Sequence, residues 1–238
     1  SIKKMSFSSV SGKNWLFKKF DTTDINKFTE NFSLPEVVAK LLSIRKKNID
    51  NIDLFLNPKI KNLLPNPFHI KDMKNAIERT YRSISENEII GIFGDYDVDG
   101  ATSTALLARY FLSIKKKINT YIPDRQSEGY GPNTIGFKNL INKGAKIIFT
   151  VDCGTSSFEP ISFAQKHNVD VIVLDHHQSD TKLPNACAIV NPNRYDDTSG
   201  LNYLCAAGVC FVFLAGLNKK LREKNWFKKN NIIEPNIL

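Results

Sequence analysis

The chain has 238 residues, enough for one large domain, or one domain with a smaller arm, around a sizeable buried core. Its 42% hydrophobic and 24% charged residues exclude a disordered or fibrous protein, and no apolar run approaches the about 20 residues that span a membrane. The net charge of +9 supports a nucleic-acid partner weakly, because a lysine-rich chain with abundant Asn and Ile also arises from an A/T-rich genome.

The N-terminal residues and the cysteines favour an intracellular protein. Residues 1–20 contain lysines but no uninterrupted apolar segment, so they do not indicate a secretory signal. The four cysteines show no CxxC pair and no spacing typical of a disulfide framework. We therefore expect reduced thiols and a cytoplasmic location.

The first part of the chain predicts an arm with helical segments. Residues 1–32 show no clean hydrophobic period, which favours irregular structure. Residues 34–48 open with a proline and continue with apolar residues at helical spacing, and residues 70–87 have the pattern of an amphipathic helix. We predict an N-terminal helical arm and lead-in over residues 1–69, followed by a larger domain over residues 70–238.

From residue 88 onward, short apolar strands alternate with helices. This alternation predicts an α/β fold with a doubly wound, mainly parallel sheet that carries helices on both faces. Ser156 and Glu159 have the spacing of a capping box at the start of one helix. The predicted strands are 88–93, 118–123, 146–151, 169–174 and, more weakly, 186–190; the predicted helices are 101–113, 133–144, 156–168 and 202–221.

Three of the predicted strands end in acidic or imidazole side chains, in the stretches IIGIFGDYDVDG, KIIFTVDCG and VIVLDHH. The carboxyl ends of parallel strands meet at one edge of a sheet, where ligands bind. If the first stretch remains extended, its three aspartates also share one face. We expect these side chains to converge: Asp95, Asp97, Asp99, Asp152, Asp175, His176 and His177.

An oxygen-rich ligand set with imidazole suits Mg²⁺ or Mn²⁺ better than Zn²⁺. The surplus of carboxylates indicates two ions bridged by one aspartate, the usual arrangement for phosphodiester hydrolysis.

Three other interpretations apply to the same residues. DxDxDG also opens an EF-hand loop, but its twelfth position here is Leu106 instead of Glu, and a strand precedes it. Asp99 or Asp152 alone could cap a helix, although helix capping hardly explains seven such groups at one edge. An isolated histidine pair would be an ordinary surface feature, but this pair directly follows an apolar strand.

The loop IPDRQSEGYGPN, residues 122–133, also follows a predicted strand. Arg125 could hold a phosphate, and Tyr130 could stack on a base beside the flexible Gly131. A plain glycine-rich connection with a surface arginine explains the loop equally well.

The stretches GDYDVDGATST, VDCGTSS and VLDHHQ resemble the first three motifs of the DHH phosphoesterase superfamily. The surrounding sequence, including the loop over 122–133, is similar to the RecJ family of bacterial single-strand-specific exonucleases. This resemblance covers roughly residues 34–236.

The resemblance implies a Mn²⁺- or Mg²⁺-dependent exonuclease that degrades single-stranded DNA in the 5′→3′ direction in recombination and repair. It places Asp97, Asp99, Asp152 and His176 at metal-ligand positions, with Asp95 in or just behind that shell. It further implies that Asp175 supports the site and that His177 contacts phosphate or assists proton transfer. Partners implied by the family are a single-strand-binding protein and a helicase.

The chain departs from the family's pattern at its end. The fourth motif, which supplies another aspartate ligand, would follow Leu238, so we expect a catalytic domain cut short before that motif, with the second metal site incomplete and this fragment inactive. The alternatives are a phosphodiesterase of the same superfamily that acts on short oligonucleotides or cyclic dinucleotides, and a non-catalytic nucleic-acid-binding module.

Overall fold

The computed structural model describes residues 6–16, 18–45 and 49–236. It divides into two compact units, Ser1–Leu63 and Leu64–Leu238, a few residues before the boundary predicted after residue 69. Within the described ranges, no helix combines the length and the apolar composition needed to cross a membrane.

The first unit contains a short hairpin and several helices. A helix over Thr22–Phe32 replaces the irregular structure expected for this region; Asp21 caps it by accepting a hydrogen bond from Thr23 N at 2.8 Å. The hydrophobic pattern of this helix is weak in the sequence, because the buried face of the helix consists of two residues, Ile25 and Phe28. The elements are β1 (Ser6–Ser8), β2 (Asn14–Leu16), α1 (Thr22–Phe32), α2 (Glu36–Ile44), a 3₁₀ turn (Ile49–Asn51), α3 (Ile52–Leu56) and α4 (Ile60–Leu63).

The second unit is built on a five-stranded sheet in which every neighbouring pair of strands is parallel. The strand order is β4-β3-β5-β6-β7. The strands are β3 (Ile89–Gly94), β4 (Ile118–Tyr121), β5 (Ala145–Val151), β6 (Asp170–Leu174) and β7 (Ala188–Val190).

Helices cover both faces of this sheet, as predicted. The helices are α5 (Met73–Ser85), α6 (Val98–Ser113), α7 (Thr134–Asn142), α8 (Phe158–Lys166), α9 (Ala206–Glu223) and α10 (Trp226–Lys229), with a 3₁₀ turn at Pro67–His69. Alternate strand residues point to opposite faces, so Ile92 packs with α5, α6 and α9, whereas Phe93 packs with α7 and α8.

The boundaries of two helices correct the sequence-based picture. The capping box predicted from Ser156 and Glu159 is wrong, because Ser157 is the cap residue of α8 and its side chain makes no capping hydrogen bond within the described structure. Helix α9 begins at Ala206 rather than at residue 202. Helix α9 packs closely on α5 at Gly216, where an added Cβ would lie 2.6 Å from Ile77 Cδ1.

The strand order places a topological switch point between β3 and β5. After β3 the chain moves outward to β4, and it then crosses back to add β5 on the other side of β3. The helices that follow β3 and β5, α6 and α8, consequently pack on opposite faces of the sheet. The connections diverge at the carboxyl ends of these two strands, which leaves a crevice of the kind in which open α/β sheets bind ligands.

The amino end of the sheet is stabilised by a buried guanidinium. Arg79 on α5 has a side chain that is 6% exposed. Its Nε donates to Asp170 Oδ2 at 2.5 Å and its Nη1 donates to Glu88 Oε2 at 2.7 Å. Because Glu88 precedes β3 and Asp170 begins β6, this ion-pair cluster lies at the end of the sheet opposite the switch point.

We predict that Arg79→Ala lowers the free energy of unfolding by about 2–4 kcal/mol, because it leaves two carboxylates without their shared cation. The matched control is Arg82→Ala: Arg82 is 58% exposed and lies 3.6 Å from the same Asp170, so it should cost less than about 1 kcal/mol. Urea denaturation of both variants measures the difference. Equal losses of unfolding free energy in the two variants would show that the burial of Arg79 adds nothing to stability.

Candidate metal centre

The turn after β3 brings two aspartates to the switch point. Strand β3 ends at Gly94, and Asp95 follows with 2% of its surface exposed. Asp97 is the cap residue of α6; its Oδ1 accepts hydrogen bonds from Asp99 N and Gly100 N, both at 2.9 Å. Helix α6 therefore begins at Val98 rather than at residue 101, because the Asp97 carboxylate caps it there. The extended arrangement expected for the three aspartates is consequently wrong beyond Asp95.

Gly100 allows this turn to be tight. A Cβ at Gly100 would lie 2.5 Å from the backbone oxygen of Asp95 and 2.6 Å from its Cβ. Glycine is required because the first turn of α6 packs directly on the buried aspartate.

Asp99 connects α6 to the start of α9. Its two carboxylate oxygens accept hydrogen bonds from Ala206 N and Ala207 N, each at 2.8 Å. Its Oδ2 also lies 3.6 Å from His176 Nε2. The positive end of the α9 dipole and these two N–H groups thus offset the charge of Asp99.

The turn after β5 places Asp152 at the centre of the cluster. Asp152 has a left-handed backbone conformation, with φ of 60°, and is 1% exposed. Its Oδ1 is buried and has no hydrogen-bond partner among the described residues, although His176 Nε2 lies 3.2 Å away. Burial, reinforced by Asp97 and Asp99, raises the pKa of Asp152 to about 8.

Asp175, which follows β6, holds the second histidine of the pair. Its Oδ1 accepts hydrogen bonds from His176 N at 2.7 Å and from His177 Nδ1 at 2.8 Å, and its Oδ2 accepts one from Thr155 Oγ1 at 2.6 Å. Burial opposes ionisation of Asp175, but the hydrogen bonds from His177 and Thr155 outweigh it and lower the pKa. The hydrogen bond that His177 donates to Asp175 raises the pKa of His177 to about 9.

The side chains of the three strand ends form two adjacent ligand sets. Ligand atoms of Asp95, Asp97 and Asp152 lie within 4.8 Å of one another, and so do those of Asp152, His176 and His177. Asp152 belongs to both sets, and its unpaired buried Oδ1 is an observation that a cation would explain. Carboxylate oxygens with imidazole nitrogen fit Mn²⁺ or Mg²⁺.

Two aromatic rings border the cluster. The Tyr130 hydroxyl lies 3.3 Å from His177 Nε2, and the Tyr130 ring lies 6.4 Å from that of Tyr96. The Arg125 guanidinium lies 5.4 Å from the Tyr96 ring, so Tyr96 contacts both Arg125 and the Tyr130 ring beside the ligand cluster. Gly129 and Gly131 flank Tyr130 with φ of 78° and 81°, a conformation that glycine adopts without cost.

A cavity of about 320 Å³ opens beside His177. Its walls combine an aromatic ring with several hydroxyl groups from the turn before α8. Among its lining residues are Tyr130, Gly131, Pro132, Thr155, Ser156, Ser157 and His177.

Sequence reasoning assigned no role to four residues at this site: Tyr96, Thr155, Asn191 and Asn193. Tyr96 carries no signal of its own in the sequence, because it stands between two aspartates that dominate the pattern. Asn191 carries a usable signal, since it directly follows β7 as the aspartates follow the other strands.

Known proteins match most of this chain. The DHH family, N-terminal domain, matches residues 89–237. The single-stranded-DNA-specific exonuclease RecJ of Bacillus subtilis is 35% identical over 218 residues, which covers 90% of this chain and 27% of that protein. The protein of the same name from Escherichia coli is 36% identical over 183 residues, which covers 76% of this chain and 32% of that protein. The chain thus spans about a third or less of these relatives.

Solved structures show the same fold. An exonuclease RecJ bound to manganese superposes with a TM-score of 0.59 and 27% identity, covering 70% of this chain and 40% of that one. RecJ from Thermus thermophilus in complex with Mn²⁺ gives a TM-score of 0.67 at 21% identity, covering 90% of this chain and 28% of that one. The acidic turn after β3, the Asp152 turn and the histidine pair all lie inside residues 89–237, and the chain belongs to the DHH family through the N-terminal domain of that family.

Proposed function

We propose that this chain carries the metal-binding part of a phosphodiester-hydrolysing centre, which acts as a 5′→3′ exonuclease on single-stranded DNA in recombination and repair. The observation that carries the proposal is that Asp95 and Asp97 from one side and His176 from the other converge on Asp152, in a chain similar to RecJ exonucleases over most of its length. A structure of one such exonuclease is bound to manganese.

Asp97, Asp152 and His176 would hold the principal ion, with Asp95 at its buried side and Asp99 next to His176. Bound Mn²⁺ or Mg²⁺ supplies Lewis acidity that activates water and neutralises charge on a phosphodiester. The second ion would share Asp152 and needs further ligands, so we propose that this chain holds one ion strongly.

His177 would act on the substrate rather than on the metal. Its Nδ1 is engaged by Asp175, so its Nε2 is directed toward the Tyr130 hydroxyl beside the cavity. With its pKa near 9, the ring is a cation at neutral pH that can hold a phosphate oxygen or give a proton to a leaving oxygen. Asp175 keeps the ring in this orientation.

Arg125, Tyr130 and Gly131 would bind the strand. Tyr130 is 59% exposed, which leaves its ring available for stacking on a base. Arg125 is exposed and is held against the Tyr96 ring, where its guanidinium can donate to a phosphate. Gly131 permits the turn that presents Tyr130.

The size of the cavity beside His177 favours a second candidate, a phosphodiesterase for short oligonucleotides. A volume of about 320 Å³ lies within the range of sites for small ligands. Comparing hydrolysis rates on dinucleotides and on long strands discriminates between the two substrates. The single-strand-binding and helicase partners, and the cytoplasmic location, stay predictions.

The function is tested with protein expressed from the complete natural reading frame, single-stranded DNA and Mn²⁺. Substrates blocked at the 3′ end should be degraded, substrates blocked at the 5′ end should survive, and a chelator should stop the reaction. Equal loss of both substrates, or no loss of either in Mn²⁺, would contradict the proposal.

We predict that Asp152→Asn abolishes Mn²⁺ binding, while the free energy of unfolding in metal-free buffer changes by less than about 1 kcal/mol. The amide replaces a carboxyl whose pKa of about 8 keeps it largely neutral at pH 7, so the empty site loses little. Calorimetric titration with Mn²⁺ measures binding.

The exposed Asp180 provides the matched control. Asp180→Asn should leave the Mn²⁺ titration unchanged, with one strong site as in the parent chain. Strong Mn²⁺ binding by Asp152→Asn, or two strong sites in the parent chain, would be incompatible with the assignment.

We further predict that Tyr130→Ala raises KM for single-stranded DNA about tenfold, since it removes about 1–2 kcal/mol of base stacking. Tyr130→Phe retains the ring and should keep KM within about twofold of the parent value. Steady-state kinetics on a single-stranded substrate separate the two. An unchanged KM in Tyr130→Ala would exclude the stacking role.

A further inference from the structure

The segment Asn191-Pro192-Asn193 follows β7 and lies against the histidine pair. Strand β7 is the parallel neighbour of β6, so the segments that follow the two strands meet at the same edge of the sheet. Asn191 is fully buried, although asparagine is usually exposed. A buried amide at this edge needs a physical reason.

All polar atoms of the Asn191 side chain are engaged. Its Nδ2 donates to His177 O at 2.8 Å and to Thr155 Oγ1 at 2.9 Å, while its Oδ1 accepts from Asn193 N at 2.8 Å. The amide therefore has one orientation that satisfies every neighbour.

The bond to Thr155 sets the direction of a relay. Because Thr155 Oγ1 accepts from Asn191, its own proton is directed to Asp175 Oδ2, 2.6 Å away. Asp175 then acts as an acceptor on both oxygens, and its Oδ1 accepts a hydrogen bond from His177 Nδ1 at 2.8 Å. Asn191 thus acts on His177 at two points: directly at the His177 backbone carbonyl, and through Thr155 and Asp175 at the His177 ring.

Asn193 acts on the other histidine. Its Nδ2 donates to His176 O. The following residue, Arg194, anchors the segment, because its Nη1 donates to Ile189 O and to Asp72 Oδ2, both at 2.7 Å. The two asparagines are consequently held on a rigid base.

We propose that Asn191 and Asn193 are positioning residues of the metal centre: Asn193 fixes His176 for metal binding, and Asn191, with Thr155, fixes His177 for its action on the phosphodiester. The inference about His177 rests on the proposed function. Asn193 acts on the backbone carbonyl of His176. Asn191 acts on the backbone carbonyl of His177 and, through Thr155 and Asp175, on its ring.

The experiment compares Asn191→Asp and Asn193→Ala with the matched control Asn185→Asp, an exposed residue that precedes β7. For this chain the readouts are Mn²⁺ affinity by calorimetry and imidazole ¹H–¹⁵N spectra. For protein expressed from the complete natural reading frame they are kcat and KM on single-stranded DNA. The protein has four histidines, so His69 and His167 report on the fold in the same spectrum.

Asn193→Ala should weaken Mn²⁺ binding about 10- to 100-fold and shift the His176 ring resonances. Asn191→Asp should lower kcat about 10- to 100-fold, keep KM within about twofold, and shift the His177 ring resonances. In both variants the His69 and His167 resonances should stay in place, and Asn185→Asp should match the parent protein throughout.

Unshifted His176 and His177 resonances with parent Mn²⁺ affinity would overturn the proposal. Should either asparagine variant fail to fold, Thr155→Val and Thr155→Ser test the relay instead. Serine keeps the hydroxyl group of the relay, whereas valine removes it. Equal His177 spectra in these two variants would overturn the relay. Absence of DNA hydrolysis in the parent protein would count against the proposed function alone, since the Mn²⁺ and spectral readouts do not depend on it.

Discussion

The structure depends on how carboxylates are tolerated at one edge of a parallel sheet. Two carboxylates about 5 Å apart repel by about 3 kcal/mol at an effective dielectric near 20. Backbone N–H groups offset most of this: Asp97 caps α6, Asp99 binds the first N–H groups of α9, and Asp175 accepts from the histidine turn. Asp152 is left with a buried oxygen that no donor among the described residues satisfies. Its pKa, raised to about 8, keeps Asp152 largely protonated at neutral pH, and a bound cation would take the place of that proton.

The topology of the sheet explains why a cation would bind at Asp152. Asp95 and Asp152 follow β3 and β5, the two strands between which the chain reverses direction across the sheet, so their turns open a crevice instead of packing on each other. The histidine pair follows β6, the next strand, and the asparagine segment follows β7. Under our proposals, the successive strand ends supply a ligand, a shared ligand, an imidazole pair and a positioning amide.

The parts of the site that depend on local pattern could be predicted from sequence. Apolar strands that end in Asp95, Asp152 and Asp175 showed which residues would share an edge, and the helices on both faces followed from the alternation. The parts set by distant partners could not be predicted. Asp99 binds Ala206 N and Ala207 N, more than a hundred residues away, and sequence offers no sign of that pairing.

The central claim is that a divalent cation at Asp152 joins the turns after β3, β5 and β6. The most direct measurement is anomalous X-ray diffraction at the manganese edge from crystals of this protein grown with Mn²⁺. The account predicts a strong anomalous peak within coordination distance of Asp152 and His176, bordered by Asp97. Well-ordered Asp152 and His176 with manganese peaks elsewhere, or with no peak between them, would contradict it.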